Sequence, residues 1–282
     1  MALLIRELVD ADLEIADAVL KLAFRSPISR LHDLWLYRQI QPDGWFIALQ
    51  DEHLVGMVGA INYGVFAHVG LMAVHPDAQR KGIGFALMQF ILARLEQQQV
   101  LRVILDASEI GRPLYDKLGF IAFDETFVFQ RDGDFARPET APHLQTITVR
   151  DLDELVQWDT AVFGANRQKV FEVLLEAFPG RAFMQRDEQG RLMGYIFAQK
   201  NRIGPWVMLQ SCSAEELFRA ALLLPYEGPV SVAVPQANRE ALGLLQRYGF
   251  RLVRTNRHMG RAISEPLGKR EQVYAQTSLA VG

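Results

Sequence analysis

The chain has 282 residues, half of them apolar, and carries 30 basic against 33 acidic side chains, for a formal net charge of −3 at pH 7. This balance provides no positively charged surface field that would attract nucleic acid. The chain also lacks the run of eighteen uninterrupted apolar residues that would indicate a membrane span. Cys212 is the only cysteine, which excludes an internal disulfide and a cysteine-based zinc cluster. We therefore expect a cytoplasmic enzyme of two domains with no bound metal and no nucleic-acid or membrane partner.

The first part of the chain alternates between helical and strand patterns. Apolar spacing predicts helices over residues 13–24 and 31–40. Two strands follow over residues 45–49 and 54–61, joined by a turn at Asp51-Glu52. A third apolar strand ends at Val74.

A glycine-bearing basic loop follows that strand and precedes an amphipathic helix. The helix N-terminus offers unpaired N–H groups and a positive dipole end, and glycines let a diphosphate approach the backbone. We therefore predict a pyrophosphate-containing cofactor at this loop. The candidate binding residues are consecutive: Gln79, Arg80, Lys81, Gly82, Ile83 and Gly84.

Other phosphate-binding motifs fit this loop less well. No Gly-Lys-Ser/Thr triplet follows Lys81, as a P-loop requires, and Leu87 stands where a dinucleotide turn needs a third small residue. Asp106 lies at about the distance from the loop at which dinucleotide-binding domains carry the acidic residue that binds the ribose. A dinucleotide cofactor therefore stays open as an alternative. The motif Gln/Arg-x-x-Gly-x-Gly/Ala, met by Gln79, Gly82 and Gly84, resembles the acetyl-CoA loop of the GNAT N-acetyltransferases.

A second segment, Leu-Tyr-Asp-Lys-Leu-Gly-Phe at residues 114–120, is similar to the second signature of that family. The resemblance implies that Tyr115 lies beside the cofactor sulfur and protonates the departing thiolate. The alternative is a tyrosine that only packs on a helix face. Ser108 stands about where the family often has an asparagine, and we expect it to cap this short helix and contact the cofactor.

The resemblance also implies that the strand ending at Val74 separates from its neighbour, so that the backbone of Met72, Ala73 and Val74 binds the pantetheine arm. Gly70 fits a bulge near that opening. Strand alternation places His68, Gly70, Met72 and Val74 on one face. His68 stands where histone-acetylating members carry a glutamate base, and an imidazole suits that proton transfer. A histidine merely hydrogen-bonded in the sheet is the alternative.

The second half of the chain repeats the pattern of the first. Helices are predicted over residues 152–162 and 168–177, and strands over 182–185 and 192–199. We assign residues 1–134 to a catalytic acetyl-CoA-binding domain, 135–142 to a linker, and 143–282 to a degenerate domain that shapes the acceptor site or is structural.

The second copy differs where the phosphate loop should be. The interval from Gly56 to Gly119 is 63 residues, whereas that from Gly194 to Gly249 is 55. No Gly-x-Gly occurs between residues 206 and 224, where Ser213 and Glu216 form a predicted capping box. We therefore expect one acetyl-CoA per chain.

Three residues of the second half have two interpretations each. Asn238 is predicted to cap a helix, with cofactor contact as the alternative. Tyr195 and Trp206 are predicted to be core residues, with an acceptor pocket as the alternative.

Together these observations predict an α/β (α+β) fold of two fused GNAT-like modules, each a mixed, mostly antiparallel sheet flanked by helices. The expected reaction is direct acetyl transfer from acetyl-CoA to an amine of a small molecule or peptide. A non-catalytic acetyl-CoA sensor, a nucleotide-binding oxidoreductase and a structural adaptor remain as alternatives. The pattern leaves the acceptor and the oligomeric state open: a small amine, an amino acid, a polyamine, an aminoglycoside and a protein terminus all fit.

Overall fold

The computed structural model describes residues 3–132, 144–209, 214–265 and 267–282. The first half forms ten helices and strands: β1 (Leu3–Glu7), α1 (Leu13–Ala23), α2 (Leu31–Ile40), β2 (Trp45–Gln50), β3 (His53–Asn62), β4 (Ala67–Val74), α3 (Ile83–Gln97), β5 (Val103–Ala107), α4 (Arg112–Lys117) and β6 (Ile121–Arg131). The predicted elements of this half are confirmed, with ends that differ by a residue or less.

The second half repeats the order of the first. Its elements are β7 (Gln145–Thr146), α5 (Leu152–Phe163), α6 (Gln168–Ala177), β8 (Ala182–Arg186), β9 (Leu192–Ala198), β10 (Arg202–Met208), α7 (Ala214–Leu222), β11 (Val230–Pro235), α8 (Arg239–Arg247), β12 (Arg251–Arg261) and β13 (Val273–Ala275). The predicted linker, Cys212 and Ser213 lie outside the described residues.

One continuous sheet runs through both halves, in the order β1-β2-β3-β4-β5-β12-β6-β11-β10-β9-β8-β7. Its pairs are antiparallel except for β4 with β5 and β10 with β11, which occupy equivalent positions in the two halves. In the first half, α1 and α2 pack on one face and α3 on the other. The predicted mixed, mostly antiparallel sheet flanked by helices is therefore confirmed.

The two halves exchange the equivalent strands β6 and β12. Strand β12 of the second half lies between β5 and β6, where Met259 pairs with Leu105 on one side and Ala122 on the other. Strand β6 of the first half continues onto β11, with Phe129 opposite Val232. The part of the sheet that each half forms is thus completed by a strand from the other half.

The second half closes its own strand opening. Strands β10 and β11 pair only at Arg202–Ser231 and Ile203–Val232. Beyond that point β13 pairs with β10, and the N–H of Gln276 donates to the carbonyl of Ala233 in β11 at 2.8 Å. The chain itself therefore occupies the gap between the two diverging strands.

The preferred interpretations of Asn238, Tyr195 and Trp206 are confirmed. Asn238 Oδ1 accepts from the N–H of Ala241 at 2.9 Å, which caps α8. Tyr195 and Trp206 are 2% and 0% exposed and pack in the core, so the acceptor-pocket alternative for them is wrong. None of the helices in the described ranges is long and apolar enough to cross a membrane.

Candidate active site

The glycine loop connects β4 to the first turn of α3. Gly82 is the N-cap residue of α3 and has φ +82°, and a Cβ there would meet no atom within 4 Å. The first helical hydrogen bond runs from the Ala86 N–H to the Gly82 carbonyl at 3.0 Å. The N–H groups of Ile83, Gly84 and Phe85 therefore have no partner within the helix and form a cradle for an anion.

The side chains of the loop hold it in place. Gln79 Nε2 donates to the carbonyl of Val74 at 3.0 Å, and Lys81 Nζ donates to that of Asp77 at 2.8 Å. Arg80 is exposed and has φ +62°. A Cβ on Gly84 would lie 2.7 Å from Met72 Cε, so the small residue lets α3 approach β4.

Strands β4 and β5 diverge next to this loop. Their parallel pairing covers only three residues of β4, and Val69, opposite Leu105, is the last of them. From Gly70 onward the edge of β4 that faces β5 has no strand partner in the described chain. The expected separation of these strands is present.

A bulge marks the point of divergence. Leu71, with φ +49°, and Met72 both lie opposite Val58 of β3. Because the extra residue resets the alternation, Val69 and Met72 pack on the side of α3 whereas His68 points to the other face. The expectation that His68 and Met72 share a face is therefore wrong.

A pocket of about 540 Å³ opens where β4 and β5 diverge. Met72, Ser108 and Tyr115 line it from the first half, and Arg202 and Ser231 line it from the second. The structure thus brings the predicted Tyr115, Ser108 and Met72 together in one cleft between the two halves.

The C-terminal segment forms part of the wall of this pocket. Ser278 and Ala280 line it. Tyr37 Oη donates to Ser278 Oγ at 2.8 Å, and a Cβ on Gly70 would lie 2.4 Å from the backbone of Ala280. Gly70 therefore permits a close approach of this segment to β4.

Tyr115 lies in α4 with its ring packed edge-on against Phe120, the two centroids 5.9 Å apart. Burial raises the pKa of its hydroxyl, which is therefore protonated at neutral pH. The hydroxyl has no hydrogen-bond partner in the part of the chain that the structure describes. Ser108 Oγ accepts from the Gly111 N–H at 3.1 Å in the turn before α4. The N-cap residue of α4 is Gly111, so the expectation that Ser108 caps the helix itself is wrong.

His68 does not line the pocket. Its side chain is fully buried, neither ring nitrogen has a hydrogen-bond partner among the described residues, and Nε2 lies 3.6 Å from Asp106 Oδ2. Asp106 is itself enclosed: Oδ1 accepts from Thr126 Oγ1 at 2.6 Å and lies 3.1 Å from His258 Nδ1, and Oδ2 accepts from Gln276 Nε2 at 3.1 Å.

This enclosure decides the role of the Asp106 side chain. Burial alone would raise the pKa of its carboxyl, but the charge and hydrogen bond of His258, and then the neighbouring His68, lower that pKa well below its ordinary value. Asp106 is thus a buried, ionised, fully engaged group. The alternative in which it binds the ribose of a dinucleotide is wrong, as is the parallel sheet that this alternative requires.

Sequence reasoning missed the arginines of the pocket, and two of them matter most for its charge. Arg30 precedes α2 and Arg254 lies in β12, and both line the cleft. No motif marks either residue, because each reaches the pocket only through the way the two halves meet.

Two protein-family models, each of an acetyltransferase (GNAT) domain, match the chain, one over residues 24–132 and the other over residues 155–275. The uncharacterized N-acetyltransferase YitH of Bacillus subtilis is 23% identical over 204 residues, which is 70% of either chain. A Pyrococcus horikoshii protein solved as a candidate acetyltransferase shares the fold with a TM-score of 0.84 at 24% identity, over 99% of this chain and 96% of that one.

A tandem GNAT protein from the clavulanic acid biosynthesis pathway also shares the fold, with a TM-score of 0.66 at 14% identity, over 92% of this chain and 98% of that one. The two domain matches coincide with the two halves of the sheet and with the repeated order of their elements. The chain therefore belongs to the GNAT family of N-acetyltransferases and is an acyltransferase of the tandem-domain type.

Proposed function

We propose that the protein transfers an acetyl group from acetyl-CoA directly to an amine acceptor. The observation that supports this most is the divergence of β4 from β5. It leaves the edge of β4 that faces β5 without a strand partner after Val69 in the described chain, next to the start of α3, and opens onto a pocket lined by Tyr115 and by both halves of the chain.

The residues of the first half fit acetyl-CoA. The N–H groups at the start of α3 suit its diphosphate, and Arg80 adds an exposed positive charge beside them. The unpaired backbone edge of Met72, Ala73 and Val74 suits the amide groups of the pantetheine arm. When bound, acetyl-CoA supplies the acyl group; Gln79 and Lys81 hold the loop, and Ser108 lies at the pocket wall.

Proton transfer is the main chemical demand on the protein. An alkyl amine with a pKa of about 10 is charged at pH 7, and its deprotonation costs about 4 kcal/mol. We assign Tyr115 as the acid that protonates the leaving thiolate, because Tyr115 lines the pocket and its protonated hydroxyl has no hydrogen-bond partner among the described residues. His68 enters the proposal only as an indirect base: its ring is buried outside the pocket, so a proton would reach it through a water molecule.

Replacing Tyr115 tests the proposal. Tyr115→Phe keeps the ring and its packing but removes the acid, so kcat should fall about a hundredfold or more while acetyl-CoA affinity stays unchanged. The control is Tyr226→Phe, because Tyr226 is a tyrosine outside the pocket whose hydroxyl donates to the Ala221 carbonyl at 2.8 Å. Tyr115→Phe with more than half of the wild-type kcat, when chemistry limits the rate, would contradict the assignment.

Two further measurements separate the alternatives. A sensor would bind acetyl-CoA in a calorimetric titration yet release no CoA in the presence of any amine of a broad panel. For His68, His68→Asn should lower kcat and leave acetyl-CoA affinity unchanged. Loss of stability with an unchanged kcat would make His68 a structural residue.

A further inference from the structure

The pocket contains arginines that no acidic side chain neutralises. Arg25, Arg30, Arg202 and Arg254 all line it. Arg202 forms an ion pair with Asp33 at 3.1 Å. In the described part of the chain the other three form no ion pair. The cleft between the halves therefore has excess positive charge.

Arg30 is held in position by uncharged groups. Its guanidinium lies 4.9 Å from the centroid of the Phe24 ring, and Nη1 donates to the carbonyl of Ile28 at 3.3 Å. Burial lowers the pKa of Arg30 most; the charge of Asp33 raises that pKa, and the charge of Arg202 lowers it again. The guanidinium of Arg30 thus has N–H donors without a partner in the described chain, and it lies near the positive charge of Arg202.

Arg254 approaches the same space from the other half. It lies in β12 opposite Val128 of β6. Arg254 is exposed at the mouth of the same pocket that Arg30 lines. Desolvation and the charge of Arg30 lower the pKa of Arg254, and the charge of Asp106 raises it. The carboxyl groups of the pocket compensate these charges only from a distance, because Asp33 is ion-paired with Arg202 and the oxygens of Asp106 are engaged in the buried network.

Two like charges held together without a counterion are unfavourable, and a ligand that brings an anion relieves this. The guanidinium fork matches carboxylate and phosphate, with two parallel hydrogen bonds for each group. We infer that the acceptor is a small amine that also carries an anionic group, a carboxylate or a phosphate, held by Arg30 and Arg254. This inference rests on the proposed function and narrows its acceptor class. Polyamines and aminoglycosides fit poorly, because their additional ammonium groups would be repelled.

Matched acceptor pairs test the inference. Each amino acid is compared with its carboxamide, and a hexosamine 6-phosphate with the free hexosamine, by kcat/KM at saturating acetyl-CoA. The anionic member should be preferred by about 10- to 100-fold, the range for charge-assisted hydrogen bonds. The two sets of pairs distinguish a carboxylate from a phosphate as the recognised group.

Variants then assign the preference to the two arginines. Arg30→Gln and Arg254→Gln should each lower kcat/KM for the anionic member about tenfold or more and leave its uncharged counterpart and acetyl-CoA affinity nearly unchanged. Arg254→Lys should retain part of the preference, because a point charge remains. Arg251→Gln is the matched control, since Arg251 is exposed on the same strand and does not line the pocket.

Different outcomes test the inferred acceptor class and the proposed acetyl transfer. Equal kcat/KM for both members of every pair, or a loss of preference in Arg251→Gln as large as in Arg254→Gln, overturns the inference while the proposed function stands. Failure to bind acetyl-CoA, or binding without turnover of any amine, overturns the proposed function and the inference with it.

Discussion

Removing the second half of the chain should unfold the first. A fragment of residues 1–134 contains every proposed acetyl-CoA contact but lacks β12, which lies between β5 and β6 in the intact protein. The fragment would lose five backbone partners of β5, because residues 103–107 pair with residues 257–261. It would also expose an apolar sheet edge to solvent.

The cost can be set against the stability of a typical domain. Met259 is fully buried in the same apolar cluster as α3, and loss of such a side chain costs about 2–5 kcal/mol. Asp106 would lose His258 and Gln276, and a buried charge without its partner costs about 3–5 kcal/mol. These two terms together approach the whole free energy of unfolding of a domain, about 5–15 kcal/mol.

Circular dichroism melts and calorimetric titration with acetyl-CoA provide the assay. Alone, the fragment should show no cooperative melting transition and no binding heat. Co-expression with residues 143–282 is the control, because it interrupts the chain at the same place yet supplies β12, and it should restore both signals. An isolated fragment that melts cooperatively and binds acetyl-CoA with the affinity of the intact chain would refute this reasoning.

Three further outcomes are expected. Gly82→Ala should weaken acetyl-CoA binding about tenfold or more, because its Cβ enters the anion cradle. Gly190→Ala is the control, because Gly190 also has a positive φ (+79°) and no atom within 4 Å, so it should cost similar strain without changing acetyl-CoA affinity. Equal acetyl-CoA affinity of the two variants by calorimetry would contradict the role of Gly82. Titration of the intact chain should saturate at one acetyl-CoA, since β13 fills the opening in the second half; saturation at two would contradict this. Burial lowers the pKa of His258, so below its unfolded value of about 6.5 the unfolded chain binds more protons than the native one. The melting temperature should therefore fall from pH 7 to pH 5, and less so in His258→Gln; a constant or rising value in the wild type would show that this histidine does not titrate as described. The low pKa of Asp106 adds stability that is lost only as the pH falls below about 3.9, outside this window.

Local patterns predicted most of the fold. The helix at residues 31–40 and the cap at Asn238 depend on neighbouring residues, and both agree with the structure. The bulge at Leu71 was harder, because Gly70 signalled an irregularity without fixing which residue would be added. That single residue decided which face His68 occupies.

Long-range pairing could not be read from spacing. The position of β12 between β5 and β6 follows from competition between strands far apart in the chain, and neither strand shows in its own residues which neighbour it takes. The same applies to Arg30 and Arg254. Each looks like an ordinary surface arginine until the two halves meet.

The segment that begins with β13 links the two sequence repeats in a way that duplication alone does not explain. Its start occupies the gap between β10 and β11, the counterpart of the gap between β4 and β5. Its continuation lies against Gly70 and bonds to Tyr37 at the edge of the other gap. The gap that stays open in one repeat thus anchors, in the other, the segment that forms a wall of the pocket. On the proposed function, we expect substitutions in this segment to change acceptor preference while leaving the glycine loop and Tyr115 in place.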